Sequence, residues 1–191
     1  MKTVTIVGVG ALGSHLVQFL RNLDVNLKLI DYDRIEQRNT RSQFHSKGGV
    51  GKGKVQHLAQ TMQFLWGIKV GTVPHKLTSD NDDQLLSGAD LIVDCLDNGE
   101  ARRLVQGFVR RAHVPCLHGA LAADGSFGQV IWDEDFKIDD EDVVGAATCE
   151  DGGFLPFISI ASSYLALSVQ EYINNGKKLG FHLHGGGAVR R

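Results

Sequence analysis

Cysteine and proline are both scarce in this chain, three of each in 191 residues. Cys95, Cys116 and Cys149 are odd in number and include no CxxC pair, so neither a disulfide framework nor a zinc site is predicted. No apolar run reaches membrane-spanning length. The first residues already read as a strand rather than a leader, so a reducing, cytoplasmic location is the expectation. Charge of either sign is not in excess. A formal net charge of −2 gives no electrostatic reason to expect nucleic acid or an anionic membrane as partner. No internal repeat and no domain boundary is visible, and the length suits one domain over residues 1–191 with a well-sized core.

What the sequence does hold is concentrated in its first thirty-three positions, TVTIVGVGALGSHLVQFLRNLDVNLKLIDYD from Thr3 to Asp33. An apolar run (Val4, Ile6, Val7) leads into Gly8-Val9-Gly10-Ala11-Leu12-Gly13, after which Leu12, Leu16, Phe19 and Leu20 recur at helical spacing. A second apolar run (Leu27, Leu29, Ile30) stops at Asp31. Strand, glycine turn, helix, strand and acid make a mononucleotide-binding βαβ unit. Gly8 permits the sharp turn, Gly10 lets a phosphate approach the backbone, and Gly13 lets the helix lie close to the sheet. The helix N-terminus offers unpaired N–H groups to an anion, and Asp31 is placed to accept hydrogen bonds from ribose hydroxyls. The motif does not reveal which nucleotide binds.

Further along, a polar segment over 32–53 is too long for a simple connection and marks a functional loop. Lys54–Trp66 reads as a helix with Val55, Leu58, Met62 and Leu65 on one stripe. Strands are predicted over 68–75, 90–95, 114–118, Phe127–Trp132 and 179–184. Helices are predicted over 80–87, over Gly99–Ala112 with an outer arginine face, and over 156–172. The last of these is apolar on nearly all faces and should be buried. Residues 133–151 interrupt the alternation with nine acidic residues against one lysine. The fold class is therefore α/β and Rossmann-like: a mainly parallel sheet, helices on both faces, antiparallel strands toward the C-terminus. Right-handed crossovers gather the loops after the parallel strands at one edge, where a site is expected.

Several residues near that edge carry candidate chemistry. Gly48 to Lys54 satisfies GxxxxGK, but no strand precedes it and Val55 stands where a Mg²⁺-binding hydroxyl belongs, so it is not read as a P-loop. Lys54 lies in the first turn of its helix, where the dipole disfavours a cation; a phosphate partner or a solvated ammonium both answer this. Asp97 leaves the carboxyl end of a buried strand, where it can hold Mg²⁺ on a polyphosphate. Asp97 and Asn98 are equally suited to cap the following helix. Cys95 and Cys116 fall in apolar strands as inert core residues. His118 ends a strand near the predicted site, and Cys149 sits in the acidic connection beside Glu150 and Asp151.

Taken in order, GVGALG, LIDYD, NTRSQF, VGKGK, DCLDN, VPCLHGA and TCEDGG resemble the ThiF/MoeB/HesA family, bacterial relatives of ubiquitin-activating enzymes. The resemblance covers nearly the whole chain. It implies an adenylyltransferase that binds ATP and Mg²⁺ and adenylates the C-terminal carboxylate of a small ubiquitin-like or sulfur-carrier protein, releasing pyrophosphate. By position, it implies that Asp31 holds the ribose and that Asp33, Asn39 and Gln43 face the nucleotide. It also implies that Lys54 and Arg41 meet phosphates and that Asp97 holds Mg²⁺. Cys149 is similar to the cysteine some members use for a thioester or persulfide step, within an acidic crossover-type loop over 133–151.

Three departures accompany the resemblance. The family's N-x-x-R-Q is here Asn39-Thr40-Arg41-Ser42-Gln43, with the arginine one place early; on a helix this turns it by roughly 100°. The zinc-binding CxxC pairs of many members are absent. The chain starts at the first strand, without the N-terminal helix whose arginine often completes the neighbouring subunit's site in that family, and a minimal, partner-dependent or degenerate enzyme is the expectation. The resemblance also implies a homodimer or a heterodimer with a homologue. Two other readings use the same βαβ unit: an NAD-dependent oxidoreductase, and an inactive nucleotide-binding scaffold paired with an active homologue.

Overall fold

The computed structural model describes residues 1–122, 124–138, 152–185 and 187–191. Strand β1 (Lys2–Val7) is followed by α1 (Ala11–Phe19) and β2 (Val25–Ile30). The polar loop after β2 holds two short 3₁₀ turns, Arg38–Arg41 and Lys47–Gly49, before α2 (Lys54–Trp66) and β3 (Gly71–Val73). Then come α3 (Asp82–Leu86), β4 (Leu91–Asp94), α4 (Gly99–Ala112), β5 (Cys116–Leu121) and β6 (Phe127–Trp132). Helix α5 (Leu155–Asn175) leads to β7 (Phe181–His184) and β8 (Gly187–Arg190).

These strands form one sheet in the order β3-β2-β1-β4-β5-β6-β7-β8. The pairs among β1 to β5 are parallel, and those from β5–β6 onward are antiparallel. The central strands read as continuous apolar runs because both faces are covered. In β4, Leu91 and Val93 join one core with α1, α2 and α5, while Ile92 joins the other with Leu85, Leu86, Val105 and Phe108 of α3 and α4. Strand pleating alone produces that division. Burying each large aliphatic side chain contributes about 1.5–3 kcal/mol.

Strand order reverses between β1 and β4, so the connections leaving their carboxyl ends diverge and open a crevice. The glycine turn sits there. Gly8 has φ +87°, and a Cβ on it would lie 2.9 Å from the Cys95 carbonyl oxygen. A Cβ on Gly13 would lie 2.0 Å from the Gly8 carbonyl oxygen, so the first turn of α1 can seat on the turn only with glycine there.

The structure corrects several local expectations. Helix α5 runs longer than 156–172 and is not buried all round: Ile158, Ala161, Leu165 and Val169 are buried, but Ile160 and Leu167 are 50% and 40% exposed. Leu65 of α2 is half exposed, off the stripe made by Val55, Leu58 and Met62. The arginine face of α4 is incomplete, because Arg102 points inward and is buried. Only Gly71–Val73 of the predicted 68–75 strand pairs. Residues Gly187–Arg190, for which the sequence pattern predicts no element, form β8, hydrogen-bonded to β7.

The two glycines at the start of α1 should respond differently to substitution. Gly13→Ala is expected to lose about 1–3 kcal/mol in chemical denaturation, the cost of overpacking. Gly10 has φ −76°, and a Cβ there would find only Gln43 Nε2 within 4 Å. Alanine at that position should be tolerated within about 1 kcal/mol. Equal stabilities would mean that α1 does not seat on Gly8.

Candidate functional site

The glycine turn is tied to both of its neighbours. Gly8 N–H donates to Ile30 O at 2.9 Å, and Val9 N–H donates to Asp31 Oδ2 at 2.8 Å. Asp31 Oδ1 accepts from Asp33 N–H at 2.8 Å. Burial pushes the Asp31 carboxyl above its ordinary value, while Lys54 and the two amides pull the other way. Each carboxylate oxygen retains acceptor capacity, as a ribose hydroxyl requires.

Lys54 is buried at the start of α2, and its ammonium lies 2.9 Å from Asp33 Oδ2. Gly53 before it supplies no side-chain cap, so this carboxylate offsets the unfavourable placement of a cation in the first turn. The partner of Lys54 in this structure is therefore an acid of its own chain. A cavity of about 340 Å³ is lined by chain neighbours of this pair, Tyr32, Arg34, Lys52 and Gly53 among them, but by neither Asp33 nor Lys54. A second cavity, of about 280 Å³ beside Trp132, Lys178 and Arg191, also contains none of the candidate residues.

The 3₁₀ turn Arg38–Arg41 carries the next group. Asn39 is buried and its Oδ1 accepts from Glu36 N–H at 2.8 Å. Gln43 reaches the space over Gly10, and its Oε1 is buried without a partner among the described residues. Arg38 pairs with Glu36 at 2.8 Å. Arg41 is exposed, and a Cβ on Gly152 would lie 3.0 Å from its Cβ. Ser42, where the resemblance places an arginine, is fully buried.

At the end of β4 the two polar neighbours divide their tasks. Asn98 is the N-cap of α4, its side chain accepting from Ala101 N–H at 2.8 Å. Asp97 is left exposed, in the connection that begins at Cys95 against Gly8. Cys95 and Cys116 are free thiols whose pKa burial pushes up, as inert core residues require. Cys149, with Glu150 and Asp151, lies outside the described residues, as does most of the acidic loop over 133–151.

Beneath the Asp97 connection lies a charged cluster that periodicity and motif do not reveal. Asp94 is fully buried; its Oδ2 accepts from Arg102 at 2.9 Å and lies 2.7 Å from His118 Nδ1. The other ring nitrogen of His118 is 3.1 Å from Asp133 Oδ1, and Arg110 Nε donates to Asp133 Oδ2 at 2.8 Å. Arg102 also donates to the Gly119 carbonyl at 2.8 Å and to the Leu96 carbonyl. Phe136 stacks on His118, with ring centroids 4.2 Å apart. Burial alone would lower the His118 pKa, but the bonds to Asp133 and Asp94 outweigh it and raise it well above the ordinary value. The imidazolium and two guanidiniums thus neutralise two carboxylates. The sequence signals are His118, already placed by its strand near the site, and Arg102, a cation on α4 a short distance from the acidic end of β4 that helical spacing could not orient.

The structure brings the glycine turn, Asp31, Asp33, Gln43 and Lys54 together at the carboxyl edge of the sheet, whereas Asn39 bonds within its own turn, Arg41 stands exposed, and Asp97 is exposed on the connection after β4. A model of the ThiF family matches residues 1–179, and the chain belongs to that family. A Caenorhabditis briggsae protein named adenylyltransferase and sulfurtransferase MOCS3 is 29% identical over 180 residues, 88% of this chain and 44% of that protein. Ubiquitin-like modifier-activating enzyme 5 of Drosophila virilis is 33% identical over 143 residues, 68% of this chain and 36% of that protein. The chain therefore spans less than half the length of these curated relatives. The crystal structure of E. coli MccB with ATP superposes over all of this chain and 62% of that one, with a TM-score of 0.78 at 18% identity, a likeness of fold.

Because Arg102 is the main counter-charge to a fully buried Asp94, Arg102→Ala is expected to cost about 3–5 kcal/mol in urea unfolding. A loss below about 1 kcal/mol would show that water or a rearranged neighbour replaces the guanidinium.

Proposed function

We propose that this chain is an ATP-dependent adenylyltransferase that activates the C-terminal carboxylate of a small ubiquitin-like or sulfur-carrier protein. The observation that carries this reading is the division between Asn98 and Asp97. Capping is done by Asn98, which leaves a free carboxylate at the strand edge beside a phosphate-type turn. The residues suit the groups they would hold. Mg²⁺ is commonly held by one or two carboxylates together with substrate phosphates, and Asp97 is such a donor. The orphaned Gln43 oxygen and the open space over Gly10 suit a polar ligand at the turn.

In this reading the α1 N-terminus binds phosphate oxygens, Asp31 accepts from the ribose, and Asn39 and Gln43 line the nucleotide. Lys54 exchanges Asp33 for a phosphate. Mg²⁺ on Asp97 would neutralise charge on the polyphosphate. The carrier carboxylate, already ionised, forms a bond from its oxygen to the α-phosphorus as the bond from that phosphorus to the bridging oxygen breaks and pyrophosphate departs. Such a step needs alignment and anion neutralisation rather than a strong base. The protein is proposed to act in the cytoplasm as a homodimer or with a homologue, its acidic 133–151 segment passing over the carrier's tail. Cys149 is proposed to act next: as a thiolate its sulfur bonds to the carrier's carbonyl carbon while the bond from that carbon to the AMP oxygen breaks, giving a thioester. If a protein persulfide donor has first transferred a sulfane sulfur to it, its outer sulfur makes the same displacement of AMP and gives an acyl disulfide.

One observation favours a second reading, an inactive nucleotide-binding subunit. Ser42 is buried at the position where the family's arginine is expected, and Arg41 points from the neighbouring place.

Calorimetry should find binding of ATP with Mg²⁺ and none of NAD; tighter NAD binding would discard the proposal in favour of an oxidoreductase. Asp97→Ala should abolish pyrophosphate exchange with an unchanged unfolding midpoint, since the carboxylate acts on the reacting phosphates and not on the fold.

Arg41→Ala is expected to lower that exchange about 10²-fold or more, the scale for one charge-stabilising donor. Arg38→Ala should be near neutral. The reverse pattern would reassign the cation to Arg38, and silence of both would favour the inactive subunit.

For Cys149, a covalent adduct with the carrier, formed with ATP and absent after thiol treatment and in Cys149→Ala, supports the later step. Full downstream activity in that variant would remove it.

A further inference from the structure

Val9 offers no functional side chain, yet the peptide groups on both sides of it are pinned by other parts of the chain. Its N–H donates to Asp31 at 2.8 Å, and its carbonyl is 2.9 Å from His45 Nε2. The second contact belongs to a seam between the polar loop and α1. Phe44 N–H donates to Ser14 Oγ at 2.8 Å, and His15 Nε2 meets the Ser42 carbonyl at 3.0 Å.

His45 is a costly way to make that contact. It is only 6% exposed, and burial above all, helped by the charge of Lys54, lowers its pKa to about 4, so the ring is neutral. A neutral imidazole has one N–H. A carbonyl only accepts, so the proton resides on Nε2 and Nδ1 is a bare acceptor. Nδ1 is buried and has no partner among the described residues. Leaving a buried acceptor unmade is destabilising, and a leucine of similar bulk would avoid it. Packing alone does not account for histidine here.

The Val9 carbonyl belongs to the same planar trans peptide as the Gly10 N–H, which must point the opposite way. Gly10 is the N-cap of α1, and its N–H has no acceptor among the described residues. The amide is therefore an unpaired donor at a helix N-terminus, where the dipole favours an anion, and the Cβ side of Gly10 is open except for Gln43 Nε2. We infer that His45 is a positioning residue that, through the Val9 carbonyl, aims the Gly10 N–H at a phosphate of the bound nucleotide. This rests on the nucleotide-binding reading above.

The test is calorimetry on the full chain with two ligands, ATP with Mg²⁺ and adenosine, for wild type, His45→Leu and His45→Gln. His45→Leu should weaken ATP about tenfold, the scale of one well-aligned hydrogen bond, and leave adenosine unchanged. His45→Gln, whose amide nitrogen can reach the same carbonyl, should restore ATP binding to within about threefold. His45→Leu should still fold, with an unfolding midpoint close to that of the wild type, since loss of the orphaned Nδ1 offsets loss of the donor to the Val9 carbonyl. Equal weakening of ATP and adenosine, no weakening at all, or failure of His45→Leu to fold would each overturn the inference by making the histidine merely structural. Wild type that binds neither ligand would instead overturn the nucleotide reading, and this inference with it.

Discussion

The close seating of α1 on the glycine turn is the constraint from which the rest of the site follows. The Gly8 carbonyl occupies the space that any side chain at Gly13 would take, which fixes how steeply α1 leaves the sheet and where its N-terminus points. The same turn presses on the Cys95 carbonyl, so the connection carrying Asp97 cannot move independently of it. A phosphate-type turn and a carboxylate from another strand are thereby held together by backbone contact, with little reliance on side chains.

Two networks stiffen this arrangement from either side. On one side the polar loop is stitched to α1 through Ser14 and His15 and to the glycine turn through His45, and Lys54 is neutralised by Asp33. On the other, Asp94, Arg102, His118, Asp133 and Arg110 form a buried ionic cluster under the Asp97 connection. A buried ion pair adds little net stability over apolar packing, but loss of one member is severe. Such a cluster is better understood as fixing geometry. It also reaches Phe136, near the start of the acidic 133–151 segment.

Much of this frame was legible in the residues. Continuous apolar strands such as Leu91–Asp94 announce burial on both faces, and the glycine spacing specified turn and helix together. Helix Gly99–Ala112 and strand Phe127–Trp132 have the limits their periodicity predicts. Legibility stopped where pairing is long-range. Arg102 looks like its solvated neighbours until Asp94 is seen beneath it. His45 has no local pattern, because its partner is the Val9 carbonyl. Strand β8 is four residues long and follows directly on a run of glycines, and only its ladder with β7 makes it a strand. Ile160 and Leu167 read as core because periodicity cannot say which side of an apolar helix lacks a neighbour.

The central claim is that a carboxylate oxygen of a carrier protein becomes bonded to the α-phosphorus of ATP at this edge of the sheet. It is tested most directly with ubiquitin-like and sulfur-carrier proteins whose C-terminal carboxylate bears ¹⁸O, incubated with the protein, ATP and Mg²⁺ and then released by a thiol. The account predicts one ¹⁸O in the AMP and none in pyrophosphate. Label in inorganic phosphate or pyrophosphate, or unlabelled AMP formed together with a thiol-linked carrier, would contradict it.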